Sequence, residues 1–258
     1  MRLHVRESGR PDGAPVVCVH GLAQHGGVFA ELARTLAEAG RRVLSVDLRG
    51  HGASGYEPPW SVATHVEDLL ETASAHGVES ACWIGHSFGG RVAAALAAQA
   101  AERAERLALL DPGFGVTPEQ ALVGAERERQ DWSFATAEGA VTALLSSEAV
   151  VATPREVVAA YVADDLVRGP DGRLRFRYCP GALVVAWSEM AMPPPPVAAV
   201  PTLLLRPAAS APHTVEQDLR YRRALGSLLR TAVVPNGHNV LWEAPEQTIA
   251  AILDFLGA

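Results

Sequence analysis

Residues 81–90 read Ala-Cys-Trp-Ile-Gly-His-Ser-Phe-Gly-Gly, and this stretch decides the fold class. Its first four residues form a short apolar run, which is typical of a strand buried inside a parallel sheet. The run passes directly into a glycine-rich turn around Ser87, and the alanine-rich stretch 91–101 predicts a helix after it. Glycines permit so sharp a turn because residues without a Cβ atom avoid clashes there. The pattern predicts a strand that turns abruptly into a helix, with Ser87 at the apex.

Similar strand and helix patterns flank this turn on both sides. Short apolar runs alternate with stretches of helical periodicity, and glycines close several of them. The predicted strands are 16–19, 43–46, 81–84 and 107–110, and helical periodicity covers 28–40 and 64–75. This alternation predicts an α/β fold with a doubly wound, mostly parallel sheet and helices on both of its faces.

Polar residues follow four of the predicted strands directly. His20, Asp47, Ser87 and Asp111 each stand at a strand's carboxyl end. Right-handed crossovers bring the carboxyl ends of parallel strands to one edge of the sheet, which is where open α/β sheets carry their active sites. We therefore expect these residues to gather along one edge.

The pattern changes after Pro112. Residues 117–168 contain helical stretches without a clear buried strand, and 174–178 alternates like a short exposed strand. Four prolines at 193–196 are typical of a stiff extended connection, and the buried strand pattern resumes at 201–205. The predicted organisation is an α/β core of 1–113 and 197–258 with an inserted, mainly helical cap at 114–196.

Composition excludes several classes of function. The net charge of −7 argues against nucleic acid as a partner, since phosphate binding needs a basic surface. All 22 basic residues are arginine, so lysine Schiff-base chemistry and a phosphate-loop lysine are excluded. The three cysteines (18, 82 and 179) are too few and too scattered for a disulfide framework or a zinc site, and no metal is expected.

The start of the chain and its hydropathy bear on location. Residues 1–13 are polar and lack the apolar core of a signal peptide. No apolar stretch reaches membrane-spanning length without polar interruption. We expect a soluble cytoplasmic protein with no membrane span.

His238 is the strongest candidate for a general base. It follows the last predicted strand, 231–235, and precedes a closing helix, so its loop can reach the turn at Ser87. There are nine histidines, so position rather than residue type selects it. His51 and His86 better fit local packing or polar contacts.

The loop His20-Gly21-Leu22 follows the predicted strand 16–19. Its glycine allows the backbone of the loop to approach the turn at Ser87. The N–H groups of Leu22 and Phe88 are the expected donors to a developing negative charge. The His20 side chain itself better fits a structural role.

Together these stretches resemble the capped α/β-hydrolase superfamily of serine esterases and lipases. The resemblance covers about two thirds of the chain, in both core segments. The stretches that carry it are His20-Gly21, Asp47-Leu48-Arg49-Gly50-His51-Gly52-Ala53-Ser54, 85–90, Gly237-His238 and Glu243-Ala244-Pro245-Glu246. The resemblance implies that Ser87 is a nucleophile and that the Asp47–Ser54 loop is mostly structural, so Asp47 and Arg49 are not expected in a triad.

The carboxylate partner of His238 departs from the commoner family pattern. Many relatives carry it just after the strand at 203–205, but residues 206–212 contain no carboxylate here. Asp111, at the other position that the family uses, is the predicted acid, although an Asp before Pro also suits a turn or a helix cap. Glu216 and Asp218 are alternatives, as is a dyad in which water or Ser210 orients His238.

The functional hypothesis is hydrolysis of a small-molecule carboxylic ester through an acyl-enzyme, with Ser87, His238 and Asp111 as catalytic residues. No organic cofactor is implied. Serine at the turn argues against dehalogenase and epoxide hydrolase chemistry, which use an aspartate there in this superfamily. A C–C bond hydrolase, a thioesterase and a low-turnover, receptor-like ligand-binding homologue stay open as alternatives. Large side chains expected to form the cap core, some of them lining a pocket, are Trp132, Phe134, Tyr161, Phe176, Tyr178, Trp187, Met190 and Met192.

Overall fold

The computed structural model describes residues 1–146, 152–209 and 213–257, except for the side chains of residues 213 and 214. Its strands are β1 (Val5–Gly9), β2 (Ala14–Val19), β3 (Arg41–Val46), β4 (Ala81–His86), β5 (Ala104–Leu110), β6 (Ser133–Phe134), β7 (Leu166–Arg168), β8 (Leu174–Phe176), β9 (Thr202–Pro207) and β10 (Leu229–Val234). Its helices are α1 (Ala30–Glu38), α2 (Val62–Ala75), α3 (Phe88–Gln99), α4 (Pro118–Glu128), α5 (Ala137–Leu145), α6 (Arg155–Asp165), α7 (Pro180–Ala191), α8 (His213–Leu225), α9 (Val240–Glu243) and α10 (Pro245–Leu256).

Seven strands form one sheet in the order β1-β3-β2-β4-β5-β9-β10. All neighbours in it are parallel except β1, which pairs antiparallel with β3 at one edge. The α/β fold class with a mostly parallel sheet is therefore confirmed. The sequence pattern did not predict β1, because Val-Arg-Glu-Ser-Gly lacks the apolar run of a buried strand.

Alternation along β4 shows how the two faces of the sheet are covered. Trp83 belongs to one buried apolar cluster, which includes residues of α2, α3 and α8. Cys82 and Ile84 belong to the cluster on the other face, with residues of α1 and α10. Because successive strand side chains point to opposite faces, a strand buried on both faces reads as a continuous apolar run.

The elements from α4 to α7 lie in the chain between β5 and β9. They include a three-stranded antiparallel sheet in the order β6-β8-β7. Their own small cluster contains Ala140, Val141, Val158, Val162 and Phe176. We call residues 118–191 the inserted segment.

The inserted segment differs from its sequence pattern in two details. β6 and β7 have two and three residues, too few to produce a periodic signal. β8 was expected to be exposed, but its residue Phe176 is buried in the cluster of this segment. Within the described residues, no helix has the length and apolar character needed to cross a membrane.

Candidate active site

The turn between β4 and α3 holds Ser87 in an unusual backbone conformation. Its φ is 53° and its ψ is −121°, a region that non-glycine residues rarely occupy. A Cβ atom on Gly85 would lie 2.4 Å from the Gly89 carbonyl oxygen, and one on Gly89 would lie 2.2 Å from the Val19 carbonyl oxygen. The glycines thus permit a turn too tight for side chains, and it presents Ser87 at the carboxyl edge of the sheet.

Ser87, His238 and Asp111 form a continuous hydrogen-bonded chain. His238 Nε2 lies 2.9 Å from Ser87 Oγ, and its Nδ1 lies 2.6 Å from Asp111 Oδ2. With the proton on Nδ1 donated to the carboxylate, Nε2 is the acceptor for the serine hydroxyl. The His238 side chain is 44% exposed and that of Asp111 is 17% exposed, so this hydrogen-bonded group of three residues can be reached from solvent.

Strand register explains why Asp111 reaches this position. The β4–β5 ladder pairs His86 with Leu110, so the residues that follow them, Ser87 and Asp111, emerge side by side. Two backbone bonds hold the pair together: Ser87 N donates to Leu110 O at 3.0 Å, and Gly113 N donates to Ser87 O at 2.8 Å.

The alternative acids lie elsewhere. Glu216 is exposed on α8, and the Asp218 carboxylate forms an ion pair with Arg206 at 2.8 Å. Neither makes a hydrogen bond to His238 among the contacts of the described residues. Ser210, the other alternative partner, lies outside the described residues. The structure therefore brings Asp111, and neither of these two carboxylates, to the histidine.

Three buried side chains hold the His238 loop; for His86 the sequence suggested local packing or polar contacts, and for the other two it suggested no such role. His86 Nε2 donates to the His238 carbonyl oxygen at 2.9 Å, and Gln24 Nε2 donates to Asn239 Oδ1 at 3.0 Å. The buried Glu243 accepts the Gly237 N–H at 2.6 Å. Burial lowers the pKa of His86 to about 4, so this histidine is neutral near pH 7. Glu243 belongs to the stretch Glu243-Ala244-Pro245-Glu246 that resembles the family, and this resemblance was the only feature of the sequence that pointed to it.

The loop after β2 uses the His20 side chain structurally. His20 Nδ1 lies 2.7 Å from Gly21 O, and its Nε2 accepts the Leu48 N–H at 2.9 Å. Burial lowers the pKa of His20 to about 4, which keeps the ring neutral. Both ring nitrogens are therefore engaged in holding the loop.

The backbone N–H groups of Leu22 and Phe88 are free in the described parts of the chain: neither donates a hydrogen bond to a protein group there. Phe88 begins α3, and the first N–H groups of a helix have no intrahelical partner. Gly21 places this loop against the serine, since a Cβ atom on it would lie 3.1 Å from Ser87 Cβ. Two unpaired donors are thus available beside the Ser87 side chain.

Asp47 and Arg49 are engaged away from Ser87. Asp47 accepts the N–H groups of Gly26 at 2.7 Å and Ala53 at 2.9 Å. Arg49 Nε donates to Asp68 at 2.7 Å. These bonds stabilise the loop after β3, which is the structural role that the sequence pattern suggested.

A cavity of about 510 Å³ opens at Ser87. This volume suits a small organic molecule. Gly21, Leu22, Ser87, Asp111 and His238 contribute to its walls at the sheet edge. Large side chains of the inserted segment that line it are Trp132, Leu144, Tyr161, Phe176, Tyr178, Trp187 and Met190.

Met192, expected in the cap core or pocket, is largely exposed instead. Phe134 packs against the apolar cluster of the inserted segment, with its ring centroid 5.6 Å from that of Phe176, and does not line the cavity. Among the described residues, no group of three or more His, Cys, Asp or Glu side chains is arranged to hold a metal ion.

Comparison with known proteins assigns the family. The family model for the alpha/beta hydrolase fold matches residues 14–150. A lipase of Mycobacterium tuberculosis, "Lipase LipV", is 32% identical over 260 residues, which cover 99% of this chain and 98% of that protein. The protein described here therefore belongs to the α/β-hydrolase family.

Two further similarities are more limited. "Esterase YbfF" of Escherichia coli is 33% identical over 114 residues, which are 43% of this chain and 44% of that protein. The solved structure of E-2-(acetamidomethylene)succinate hydrolase superimposes with a TM-score of 0.89 at 22% identity, covering 99% of this chain and 95% of that one. At this identity the second similarity concerns the fold alone.

Proposed function

We propose that the protein is a serine hydrolase that cleaves a carboxylic ester through an acyl-enzyme on Ser87. The observation that carries the proposal is the hydrogen-bonded chain from Ser87 Oγ through His238 to Asp111, with links of 2.9 and 2.6 Å. The full-length similarity to a protein named a lipase supports ester hydrolysis as the reaction class.

In the first half of the proposed reaction, Ser87 Oγ attacks the ester carbonyl carbon while His238 Nε2 takes the hydroxyl proton. Asp111 stabilises the imidazolium that forms and keeps the proton of Nδ1 directed away from the serine. Collapse of the tetrahedral intermediate breaks the bond to the alcohol oxygen, which receives the proton from His238. In the second half, water attacks the acyl-enzyme with His238 again as base, and the carboxylic acid leaves.

We assign the oxyanion site to the Leu22 and Phe88 N–H groups. Both are free of protein acceptors in the described chain, and they belong to the loop after β2 and to the first residue of α3, which meet at Ser87. Preorganised backbone donors stabilise the oxyanion because they need no reorganisation as charge develops. The α3 N-terminus adds a favourable dipole at the same place.

We further propose that residues 114–196 act as a cap over this site. The inserted segment supplies most of the large apolar side chains of the cavity wall, so it is suited to select the acyl or alcohol group. A thioester or a C–C bond next to a ketone would use the same residues. Rates on matched ester, thioester and diketone substrates distinguish these reactions.

The deciding experiment is covalent labelling combined with turnover. A fluorophosphonate probe is expected to modify Ser87 in the intact protein, as located by peptide mass spectrometry, and Ser87→Ala is expected to abolish labelling. Wild-type protein should also hydrolyse p-nitrophenyl esters with repeated turnover. An unlabelled Ser87 would contradict the proposal, and labelling without turnover would favour a low-turnover ligand-binding protein.

A further inference from the structure

One wall of the cavity carries an ion pair that the proposed reaction does not use. Arg127 and Glu128 end α4 and both line the cavity. Arg127 donates to Glu128 Oε1 through Nη2 at 2.9 Å and through Nε at 3.2 Å. Most residues that line the cavity are apolar, and Arg127 and Glu128 are charged residues of that wall outside the Ser87–His238–Asp111 chain.

Glu128 is buried, but only one of its two carboxylate oxygens accepts a hydrogen bond from a described residue. The residue is 6% exposed, and both of its hydrogen bonds fall on Oε1. Oε2 accepts no hydrogen bond from any described residue. This oxygen keeps some access, so it can accept a hydrogen bond from a molecule beside it. Since Glu128 lines the cavity, a molecule in the cavity is the natural donor to Oε2.

Other charged side chains of the cavity wall, within the described residues, are already committed. Asp111 is bound to His238, and Arg127 directs two of its nitrogens to Glu128. The Arg127 guanidinium also lies over the Trp187 ring, 5.6 Å from its centroid. These contacts use part of the donor capacity of the guanidinium and balance its charge locally with that of Glu128.

The charge of the pair indicates which kind of donor fits. Arg127 balances Glu128, so the site gains little from a cation, whereas a neutral hydroxyl can bond to Oε2 without bringing a second charge into the cavity. Tyr178 also lines the cavity, and burial, followed by the charge of Glu128, raises the pKa of its phenol. Its hydroxyl therefore stays protonated and adds a second neutral polar group near the carboxylate.

We propose that Glu128 is a specificity-determining residue that accepts a hydrogen bond from a hydroxyl group carried by the ester substrate. The inference rests on the proposed ester hydrolysis at Ser87 and names the substrate class as hydroxylated esters. The hydroxyl is carried on the acyl chain or on the alcohol, and matched substrates separate these two cases.

The test compares kcat/KM for esters that differ only by a hydroxyl. The acyl pair is p-nitrophenyl 6-hydroxyhexanoate and p-nitrophenyl hexanoate, and the alcohol pair is 4-hydroxybutyl acetate and butyl acetate. We expect wild-type protein to favour the hydroxylated ester by about 10- to 100-fold in one pair, as a hydrogen bond to a charged group would give. Because both esters of a pair are measured on one preparation, their ratio is independent of the folded fraction.

Glu128→Gln is expected to lower that ratio several-fold, because a bond between the neutral amide and the hydroxyl is weaker than a bond to the charged carboxylate. Its amide oxygen can stay on Arg127, which leaves an N–H donor where the carboxylate offered an acceptor. The matched control is Glu126→Gln on the same helix. Glu126 is 58% exposed, pairs with Arg129 at 3.0 Å and does not line the cavity. The control should keep the wild-type ratio.

Several outcomes overturn the assignment of Glu128. These are a wild-type ratio near 1 in both pairs, an unchanged ratio in Glu128→Gln, and a preference for the p-nitrophenyl monoester of adipic acid over the hydroxylated ester. Each leaves the proposed ester hydrolysis intact as long as the plain esters are turned over and Ser87 is labelled. Failure of both plain-ester turnover and labelling would instead overturn the proposed function.

Discussion

The sheet edge around Ser87 and the inserted segment each contain a glycine that has no room for a side chain. The atoms that a side chain would meet differ between the two positions. A Cβ atom on Gly89 would lie 2.2 Å from the Val19 carbonyl oxygen and 2.4 Å from that of His20. A Cβ atom on Gly124 of α4 would lie 2.4 Å from the ring of Trp187. Backbone in the centre of a sheet cannot move without moving its neighbours, whereas a side chain can rotate. The reacting edge is therefore rigid, and the cavity wall is adaptable.

The polar groups next to the reacting serine and those of the cavity wall contributed by the inserted segment differ in the same sense. At the sheet edge, the ring nitrogens of His20 and His238 are all engaged in hydrogen bonds. In the inserted segment, the Trp187 indole N–H is buried without a partner in the described chain, and Glu128 uses one carboxylate oxygen. Preorganised groups suit a reaction that needs fixed geometry, and partly satisfied ones suit a wall that receives ligands.

The largest expected effect tests the rigid edge. Asp111→Asn should lower kcat for p-nitrophenyl esters by about 10⁴-fold, because an amide favours the wrong histidine tautomer and cannot stabilise the imidazolium. The matched control is Glu216→Gln, an exposed carboxylate on α8, which should stay within twofold of wild type. An Asp111→Asn enzyme within tenfold of wild type would remove Asp111 from the catalytic chain.

The second prediction compares the two glycines directly. Gly89→Ala should lower the free energy of unfolding by more than about 4 kcal/mol, because the new methyl group meets the backbone carbonyls of Val19 and His20. Gly124→Ala should cost about 1–3 kcal/mol, since Trp187 can shift. Both sites lie in helices, where Ala is otherwise preferred by about 1 kcal/mol. Urea unfolding measures both values, and equal losses would contradict the contrast between rigid edge and adaptable wall.

The third prediction concerns a buried acid at the end of α6. Burial raises the pKa of Asp165 to about 7 from its ordinary 3.8, so the folded protein holds this proton more tightly than the unfolded chain. Stability is therefore lost as pH rises from about 4 to 7, and the loss is complete above the folded pKa. Asp165→Asn should increase the free energy of unfolding by up to about 4 kcal/mol at pH 8 and by much less near pH 4.

Its control is Asp164→Asn, at the neighbouring position. That carboxylate is exposed and forms an ion pair with Arg6 at 2.9 Å, so its removal should cost about 1 kcal/mol or less. Chemical unfolding of the three proteins between pH 4 and 8 provides the comparison. A gain for Asp165→Asn that does not change with pH would show that Asp165 is ionised in the fold throughout this range.

Much of the core could be predicted from local patterns. Strands buried on both faces appear as apolar runs, and the glycines around Ser87 indicate a turn that few other structures require. Elements without such a signal were missed or left vague: polar β1, the short strands β6 and β7, and α8. In these places tertiary packing decides the conformation, since local sequence preference is weak.

For the candidate site, the sequence by itself determined the turn at Ser87, the loop of His238 and the edge on which they meet. The right-handed connection between parallel strands follows from local chirality and is readable without coordinates. The choice of Asp111 over Glu216 and Asp218 was different. It depends on the β4–β5 register, which places Asp111 beside Ser87, and on the loop after β10, which brings His238 Nδ1 within 2.6 Å of the Asp111 carboxylate.

Only the tertiary structure identified the residues that support or face the reaction. Gln24 and Glu243 hold the histidine loop through single hydrogen bonds, and Glu128 reaches the cavity because α4 packs on α7. The Gln24 and Glu128 contacts join segments far apart in the chain, whereas Glu243 bonds to a residue six positions away, and none of these contacts leaves a periodic pattern in the sequence. Local sequence preferences therefore specify the turn that carries Ser87, and the packing of distant elements specifies which side chains surround it.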